Sequence, residues 1–272
     1  MRNALLAATV VTMLCGAAYA DFLVDPKWSQ KPDEGIYGYD FSSETLVPSA
    51  VADDFLCDDP LPVTYLHWWG SYWCQAPLLD KNSDTYTDPS FAAGLNQPPV
   101  MPTVVTAFSI TFYADVSAGV DPTMPHSHPG TLLLSQDISI AQVATNLHAI
   151  VDRDENGDTG DIGDETIWQY NVELPVPFDQ TPGTTYWVSI VAKNDSGNPT
   201  NIQWGWHESY EHELDNAVQH GPAAWGPEYN VEWANLAPKD MAFELAVPEP
   251  ATMALVTGGL ALMGLSRRRR RR

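Results

Sequence analysis

The sequence predicts an all-β fold, a single jelly-roll-like β-sandwich domain over residues 21–246, and three observations support that prediction. Apolar and polar residues alternate strictly in several short segments, as in residues 108–113 (FSITFY), and this period of two is typical of half-buried strands. The 22 prolines and 18 glycines are spread along the chain and divide it into short segments. Helical periodicity is scarce away from the two termini, which disfavours a parallel sheet with covering helices.

The predicted strands follow one another in chain order between turn signals. Alternation is clearest in five segments: 108–113, 168–173, 186–190, 202–206 and 241–245. Residues 141–150 fit either a short helix or another strand. Residues 75–102 form a long polar connection, and loops of that length usually carry function or are mobile. About ten strands without an internal repeat indicate one two-sheet sandwich rather than a propeller or a solenoid.

The charge of the chain is unevenly distributed. The formal net charge is −22, from 13 Lys+Arg against 35 Asp+Glu, and six of the basic residues are Arg267–Arg272. Residues 21–246 hold six basic and 34 acidic residues, a formal charge of −28. Nucleic acid and anionic lipid are therefore poor partners for the body, since binding them requires Lys or Arg opposite the phosphates. The 44% apolar residues also disfavour a disordered chain.

The N-terminus has the three parts of a secretory signal peptide, predicted at residues 1–20. A basic start at Arg2 is followed by an apolar run and by Ala18-Tyr19-Ala20, so signal peptidase is expected to cleave after Ala20. A buried helix or a retained anchor is the alternative. Lipidation at Cys15 is rejected, because Leu14 stands where a small residue is required.

The C-terminus combines Pro248-Glu249-Pro250, an apolar segment at 251–266 and the arginines 267–272. At about 1.5 Å per residue a helix over the apolar segment is roughly 24 Å long, shorter than the ~30 Å hydrocarbon core, so it would span weakly. The positive-inside rule places the arginines in the cytoplasm. A plain tail anchor explains the helix and the arginines but leaves the Pro-Glu-Pro motif unexplained.

These last 26 residues resemble the PEP-CTERM sorting signal: Pro248-Glu249-Pro250, an apolar helix with Gly258-Gly259, and an arginine tail over the span 247–272. The resemblance implies that an exosortase recognises the motif after export across the inner membrane. It further implies a transient inner-membrane anchor, a final place at the cell surface or outside the cell, and an association with exopolysaccharide and biofilm.

The cysteines left after signal cleavage are Cys57 and Cys74. In an oxidising compartment two cysteines this close in sequence favour a disulfide, which we predict, with a metal site as the weaker alternative.

An acidic segment at 152–164 is the candidate calcium site. Its opening, D-x-D-x-N-G-D, places oxygen ligands at alternate positions with a glycine for the sharp turn, a spacing that suits Ca²⁺. It resembles the first half of an EF-hand or dockerin loop, although Gly163 stands where a bidentate glutamate belongs. A solvated acidic turn is the alternative. The candidate ligands are Asp152, Asp154, Asn156, Asp158 and Asp161.

Tryptophan suggests a glycan site, because exposed indole rings on a β-sandwich can stack on sugars. The candidates are Trp68, Trp73, Trp204 and Trp206. The alternative is that these residues simply fill the core.

Histidine motifs do not support an enzyme, and we predict no catalytic residue. His126 and His128 lack the following glutamate of a cupin motif, and His207 and His212 are five apart where the zinc-protease motif needs four. The prediction is a non-catalytic surface or matrix protein, and the alternative is an extracellular carbohydrate-active hydrolase.

The body itself resembles a module of secreted bacterial proteins to which no activity is attached. The residues that carry this resemblance are VADDFLC at 51–57, HWWGSY at 67–72, SHPG at 127–130 and TTYW at 184–187. The resemblance supports a single β domain.

Overall fold

The computed structural model describes residues 26–46, 48–75, 86–91, 98–122, 124–153, 155, 157, 164–195, 197, 202–220, 225–230 and 239–247. The predicted signal peptide, the Pro-Glu-Pro motif at 248–250 and the terminal apolar segment lie outside these residues. Across the described ranges, no helix has the length and apolar character to cross a membrane.

The described residues form fourteen strands and two short 3₁₀ turns, at Pro89–Phe91 and Ile140–Gln142. The strands are β1 (Trp28–Gln30), β2 (Asp40–Ser42), β3 (Ala50–Cys57), β4 (Val63–Gln75), β5 (Tyr86–Thr87), β6 (Val105–Val116), β7 (His128–Ser139), β8 (Ala144–Val151), β9 (Glu165–Phe178), β10 (Thr184–Asn194), β11 (Ile202–His207), β12 (Val218–His220), β13 (Trp225–Asn230) and β14 (Phe243–Ala246).

Two antiparallel sheets are built from these strands. Sheet I is centred on the long strand β4, which pairs with β14 and β11 along one side and with β9 and β5 along the other. Strands β1 and β2 extend the first side, and β8 pairs with β9 on the second. Sheet II has the order β13-β12-β3-β10-β6-β7. The all-β sandwich predicted from the alternation is thereby confirmed.

Aromatic side chains from both sheets fill the space between them. Phe55 of sheet II lies edge-on to Phe178 and Phe243 of sheet I, with ring centroids 6.3 and 6.4 Å apart. Phe108 of sheet II approaches Trp68 of sheet I at 5.1 Å. Burial of each of these side chains stabilises the fold by about 1.5–3 kcal/mol, so the aromatic layer contributes to the packing of the two sheets together with the buried aliphatic residues of the same core.

Two glycines on neighbouring strands let tryptophan rings lie against the backbone of sheet I. A Cβ atom on Gly70 would lie 2.4 Å from the Gly205 carbonyl oxygen and 2.6 Å from Cζ2 of Trp204. A Cβ atom on Gly205 would lie 2.5 Å from Cζ3 of Trp73. Any larger residue at these two positions would push a ring or a strand away.

The segment 141–150, for which helix and strand were both open, is mainly strand β8. Its partner is β9, with Ala144 opposite Asn171 and Val151 opposite Glu165. The long partner strand supplies hydrogen bonds that a short exposed helix would lack, which resolves the ambiguity in favour of the sheet.

The predicted disulfide between Cys57 and Cys74 is wrong, because Cys57 is a free and buried thiol. Cys57 ends β3 in sheet II, whereas Cys74 lies near the far end of β4 in sheet I. The extended strand from Val63 to Cys74 is roughly 36 Å long, and a disulfide requires Cα atoms within about 7 Å. Closeness in sequence therefore does not bring the Cα atoms of these two cysteines within range of a disulfide.

Candidate functional site

In the part of the chain that the structure describes, a group of carboxylate and imidazole side chains lies where the last residue of β11 meets β2. The register of these two strands places His207 opposite Asp40. His207 is completely buried, and its Nδ1 lies 3.0 Å from Oδ1 of Asp40. On the other side of the ring, Nε2 donates to the backbone carbonyl of Asp33 over 2.9 Å. Both ring nitrogens of His207 therefore have a defined oxygen neighbour.

Glu165 brings a second carboxylate to the same imidazole. It is the first residue of β9 and directly follows the acidic segment 152–164, and it is 9% exposed. Its Oε1 lies 3.6 Å from Nδ1 of His207 and has no hydrogen-bond partner. Its Oε2 accepts hydrogen bonds from the guanidinium of Arg153. One oxygen of Glu165 is thus held by an arginine, while the other faces the histidine.

Neighbouring groups also fix the remaining members of this cluster. The Ser71 hydroxyl donates to Oδ2 of Asp40. Arg153 donates to the backbone carbonyls of Ile36 and Gly38 as well as to Glu165. Each charged side chain is therefore hydrogen-bonded on its outer side. We refer to Asp40, Glu165 and His207 as the His207 cluster.

The electrostatics of the His207 cluster favour positive charge at its centre. Burial by itself would lower the pKa of His207, but the charge of Asp40, the hydrogen bond to it and the Asp33 carbonyl together raise that pKa above its ordinary value. One ligand atom from each of Asp40, Glu165 and His207 lies within 4.8 Å of the other two. The arrangement can hold either a proton or a metal ion between its carboxylates.

A second buried acidic group lies between β3 and the residues before β14. Asp53 accepts hydrogen bonds from the backbone N–H groups of Met241 and Asp54, at 2.7 and 2.8 Å. Burial, followed by the charge of nearby carboxylates, raises the pKa of Asp54 to about 8. Burial likewise raises the pKa of Asp240 to about 7, although that side chain accepts a backbone hydrogen bond from Glu213. These carboxyl groups bind protons at pH values where carboxylates are normally ionised.

The structure places three of the four glycan candidates in the core. Trp68, Trp204 and Trp206 are each 0% exposed, so the hypothesis that these three rings stack on sugars is wrong. Period-two alternation assigns a residue to one face of a strand but does not say which face is buried. Trp73 is half-buried, and its Nε1 donates to Oε1 of Gln203 over 3.0 Å.

The predicted calcium segment is described only in part. Oδ2 of Asp152 accepts a hydrogen bond from the backbone N–H of Gly157 over 3.0 Å. Gly157 has a φ of 91°, as expected for the glycine of a sharp turn. The other four candidate ligands, Asp154, Asn156, Asp158 and Asp161, lie outside the described residues.

His207 and His212, the second histidine pair singled out in the sequence, face different carboxylates. Nδ1 of His207 faces Asp40, whereas Nδ1 of His212 lies 3.8 Å from Oδ2 of Asp240. Sequence reasoning considered His207 only together with His212, rejected that motif on its spacing, and assigned His207 no partner. Asp40 and Glu165 lie far away along the chain, and no local motif connects either of them to His207.

Two family models match the chain. The first, described as Domain of unknown function (DUF7901), matches residues 26–246, and the second, described as PEP-CTERM protein-sorting motif, matches residues 246–271. The second match confirms the resemblance of the C-terminal residues to that sorting signal. No curated protein and no solved structure matches the chain.

Proposed function

Because the chain belongs to the DUF7901 family and ends in a PEP-CTERM motif, we propose that it is a non-catalytic protein of the cell surface or extracellular matrix. The motif indicates an exported protein that is sorted by an exosortase. The finer proposal is that signal peptidase removes residues 1–20 and that exosortase processing then displays the β-sandwich of 21–246 outside the cell. Before processing, the segment 251–266 anchors the protein in the inner membrane.

The observation that carries this proposal is the position of the motif relative to the folded body. Strand β14 ends at Ala246, and it pairs with β4 at the centre of sheet I and with β1. Pro248 follows only two residues later. The sorting motif therefore comes directly after a strand inside a stable sheet, so an exosortase would act on a protein that is already folded outside the membrane.

The sorting step is tested in a host that contains an exosortase. The full chain is compared with a variant that carries Pro248→Ala, Glu249→Ala and Pro250→Ala, and with Val247→Ala as the matched control. We expect the triple variant to stay in the membrane fraction at its unprocessed mass, while the control is processed like the original protein. Equal processing of all three proteins would contradict the proposal.

We also propose that the acidic segment 152–164 binds Ca²⁺. Its spacing of oxygen ligands supports this, as does the Asp152–Gly157 turn that closes its first half. Relief of repulsion in a body of charge −28 would add to the stabilisation. We expect millimolar Ca²⁺ to raise the melting temperature relative to chelator, and Asp154→Asn with Asp158→Asn to remove that rise. Asp137→Asn, on a distant exposed strand position, is the control, and an unchanged melting temperature would contradict the proposal.

Glycan binding, the remaining part of the proposal, now depends on Trp73 and on surfaces outside the aromatic core. A pull-down on exopolysaccharide with the full chain and a Trp73→Ala variant tests it. Binding that disappears in the variant supports a glycan-binding role. Release of new reducing ends from the polysaccharide would instead favour the carbohydrate-active hydrolase.

A further inference from the structure

We propose that the His207 cluster is a binding site for one divalent first-row transition metal ion of the Zn²⁺ or Mn²⁺ type. The ligands are Nδ1 of His207, Oδ1 of Asp40 and Oε1 of Glu165. A ligand set of one imidazole and two carboxylates suits these ions. This site goes beyond the proposed surface role and uses none of the candidate calcium ligands of the segment 152–164.

The spacing of the three ligand atoms fits a metal ion without movement of the strands. Nδ1 of His207 lies 3.0 Å from the Asp40 oxygen and 3.6 Å from the Glu165 oxygen. A tetrahedral ion with ligands at about 2.1 Å separates its ligand atoms by roughly 3.4 Å. Both distances from Nδ1 differ from that separation by no more than about 0.4 Å, and one ligand atom of each of the three residues lies within 4.8 Å of the other two, so small side-chain shifts would complete the site.

The unpartnered oxygen of Glu165 is the second observation that points to a cation. Oε1 is buried, it accepts no hydrogen bond, and it faces Nδ1 of His207. A proton on Nδ1 can serve one acceptor well, and Asp40 is the nearer one at 3.0 Å. At 3.6 Å Glu165 is beyond hydrogen-bonding distance. A metal ion in place of that proton binds both carboxylates at once and removes the unsatisfied oxygen.

The groups around the His207 cluster form hydrogen bonds that orient its three ligand side chains, as the residues surrounding the ligands do at known metal sites. Nε2 of His207 donates to the Asp33 carbonyl, which leaves the lone pair of Nδ1 directed at the two carboxylates. The Ser71 hydroxyl and the Arg153 guanidinium hold the outer oxygens of Asp40 and Glu165. With His207 neutral, the two carboxylates and Arg153 carry a net charge of −1, which a divalent ion converts to +1. Arg153 therefore limits the affinity but does not cancel the attraction.

Metal binding is tested on the full chain, purified in detergent without a histidine tag and stripped with a chelator. Zn²⁺, Mn²⁺ and Ca²⁺ are added separately, and metal content after gel filtration and melting temperature are measured. We expect close to one Zn²⁺ or Mn²⁺ per chain and a rise of several degrees in melting temperature. Glu165→Gln, which keeps the side-chain shape, is expected to weaken binding at least tenfold, whereas the exposed control Asp137→Asn binds like the original protein.

Each outcome either supports or overturns the site. Less than a fifth of an equivalent of Zn²⁺ and of Mn²⁺ on the original protein overturns it, and this readout does not depend on whether any variant folds. Equal Zn²⁺ affinity of Glu165→Gln and the original protein also overturns it. A stabilisation that appears with Ca²⁺ alone would support the 152–164 segment and reject the His207 cluster, so the two proposals fail separately.

Discussion

Replacement of Trp206 tests whether this tryptophan has a structural role or binds a ligand. Because the side chain lies in the core, we expect Trp206→Ala to destabilise the fold strongly. The side chain is 0% exposed, its Nε1 donates to the Ala242 carbonyl over 2.9 Å, and its ring lies edge-on to Phe243 at 5.8 Å. Loss of a buried tryptophan costs about 3–5 kcal/mol. The Ala242 carbonyl left without its donor adds about 1 kcal/mol or more. That total is a large part of the ~5–15 kcal/mol by which domains are usually stable.

The assay is equilibrium unfolding in urea, followed by far-UV circular dichroism. Trp206→Phe keeps an aromatic ring but loses the N–H group, so we expect a smaller loss of about 1–3 kcal/mol. Tyr210→Ala, at a side chain that is 57% exposed, is the matched control and should change stability by less than about 0.5 kcal/mol. If Trp206→Ala lost less than about 1 kcal/mol, the placement of this ring in the core would be refuted.

Three further predictions follow from buried groups. Burial raises the pKa of Asp54 to about 8 and that of Asp240 to about 7 from an ordinary 3.8, so both stay protonated in the folded chain while the unfolded chain ionises. Stability should therefore fall as pH rises, from about 4 to 8 for Asp54 and from about 4 to 7 for Asp240. Asp54→Asn should make the decline in urea midpoints less steep, and a flat profile would contradict this. Gly70→Ala should lower the free energy of unfolding by about 1–3 kcal/mol, because its Cβ would lie 2.4 Å from the Gly205 carbonyl oxygen. A melting temperature equal to that of the original protein would disprove this close approach. Burial raises the pKa of Cys57 to about 11, so in a Cys74→Ser variant without the signal peptide this thiol should react with a disulfide reagent only in urea. Rapid reaction of that folded variant would show Cys57 to be accessible.

Alternation along the chain predicted the strands well where a strand has one buried face. The segments around 108–113 and 186–190 became β6 and β10, which pair with each other over nine residue pairs. The sequence of residues 141–150 leaves helix and strand open, because the local pattern fits both. Pairing with β9, which begins only at residue 165, decides for the strand. The disulfide prediction failed for a related reason: sequence distance between Cys57 and Cys74 says little about distance across two sheets.

The sequence by itself determined the all-β class, the acidic character of the body and the sorting signal at the C-terminus. Those features depend on composition and on residues within about one strand or one helix of each other. Tertiary structure alone decided that Trp206 is core and that Asp40 and Glu165 meet His207. Asp40 and His207 are 167 residues apart, and the pairing of β2 with β11 is what brings them together. Such a contact depends on strand order and register. The packing of the whole sandwich sets strand order and register, and no local pattern does.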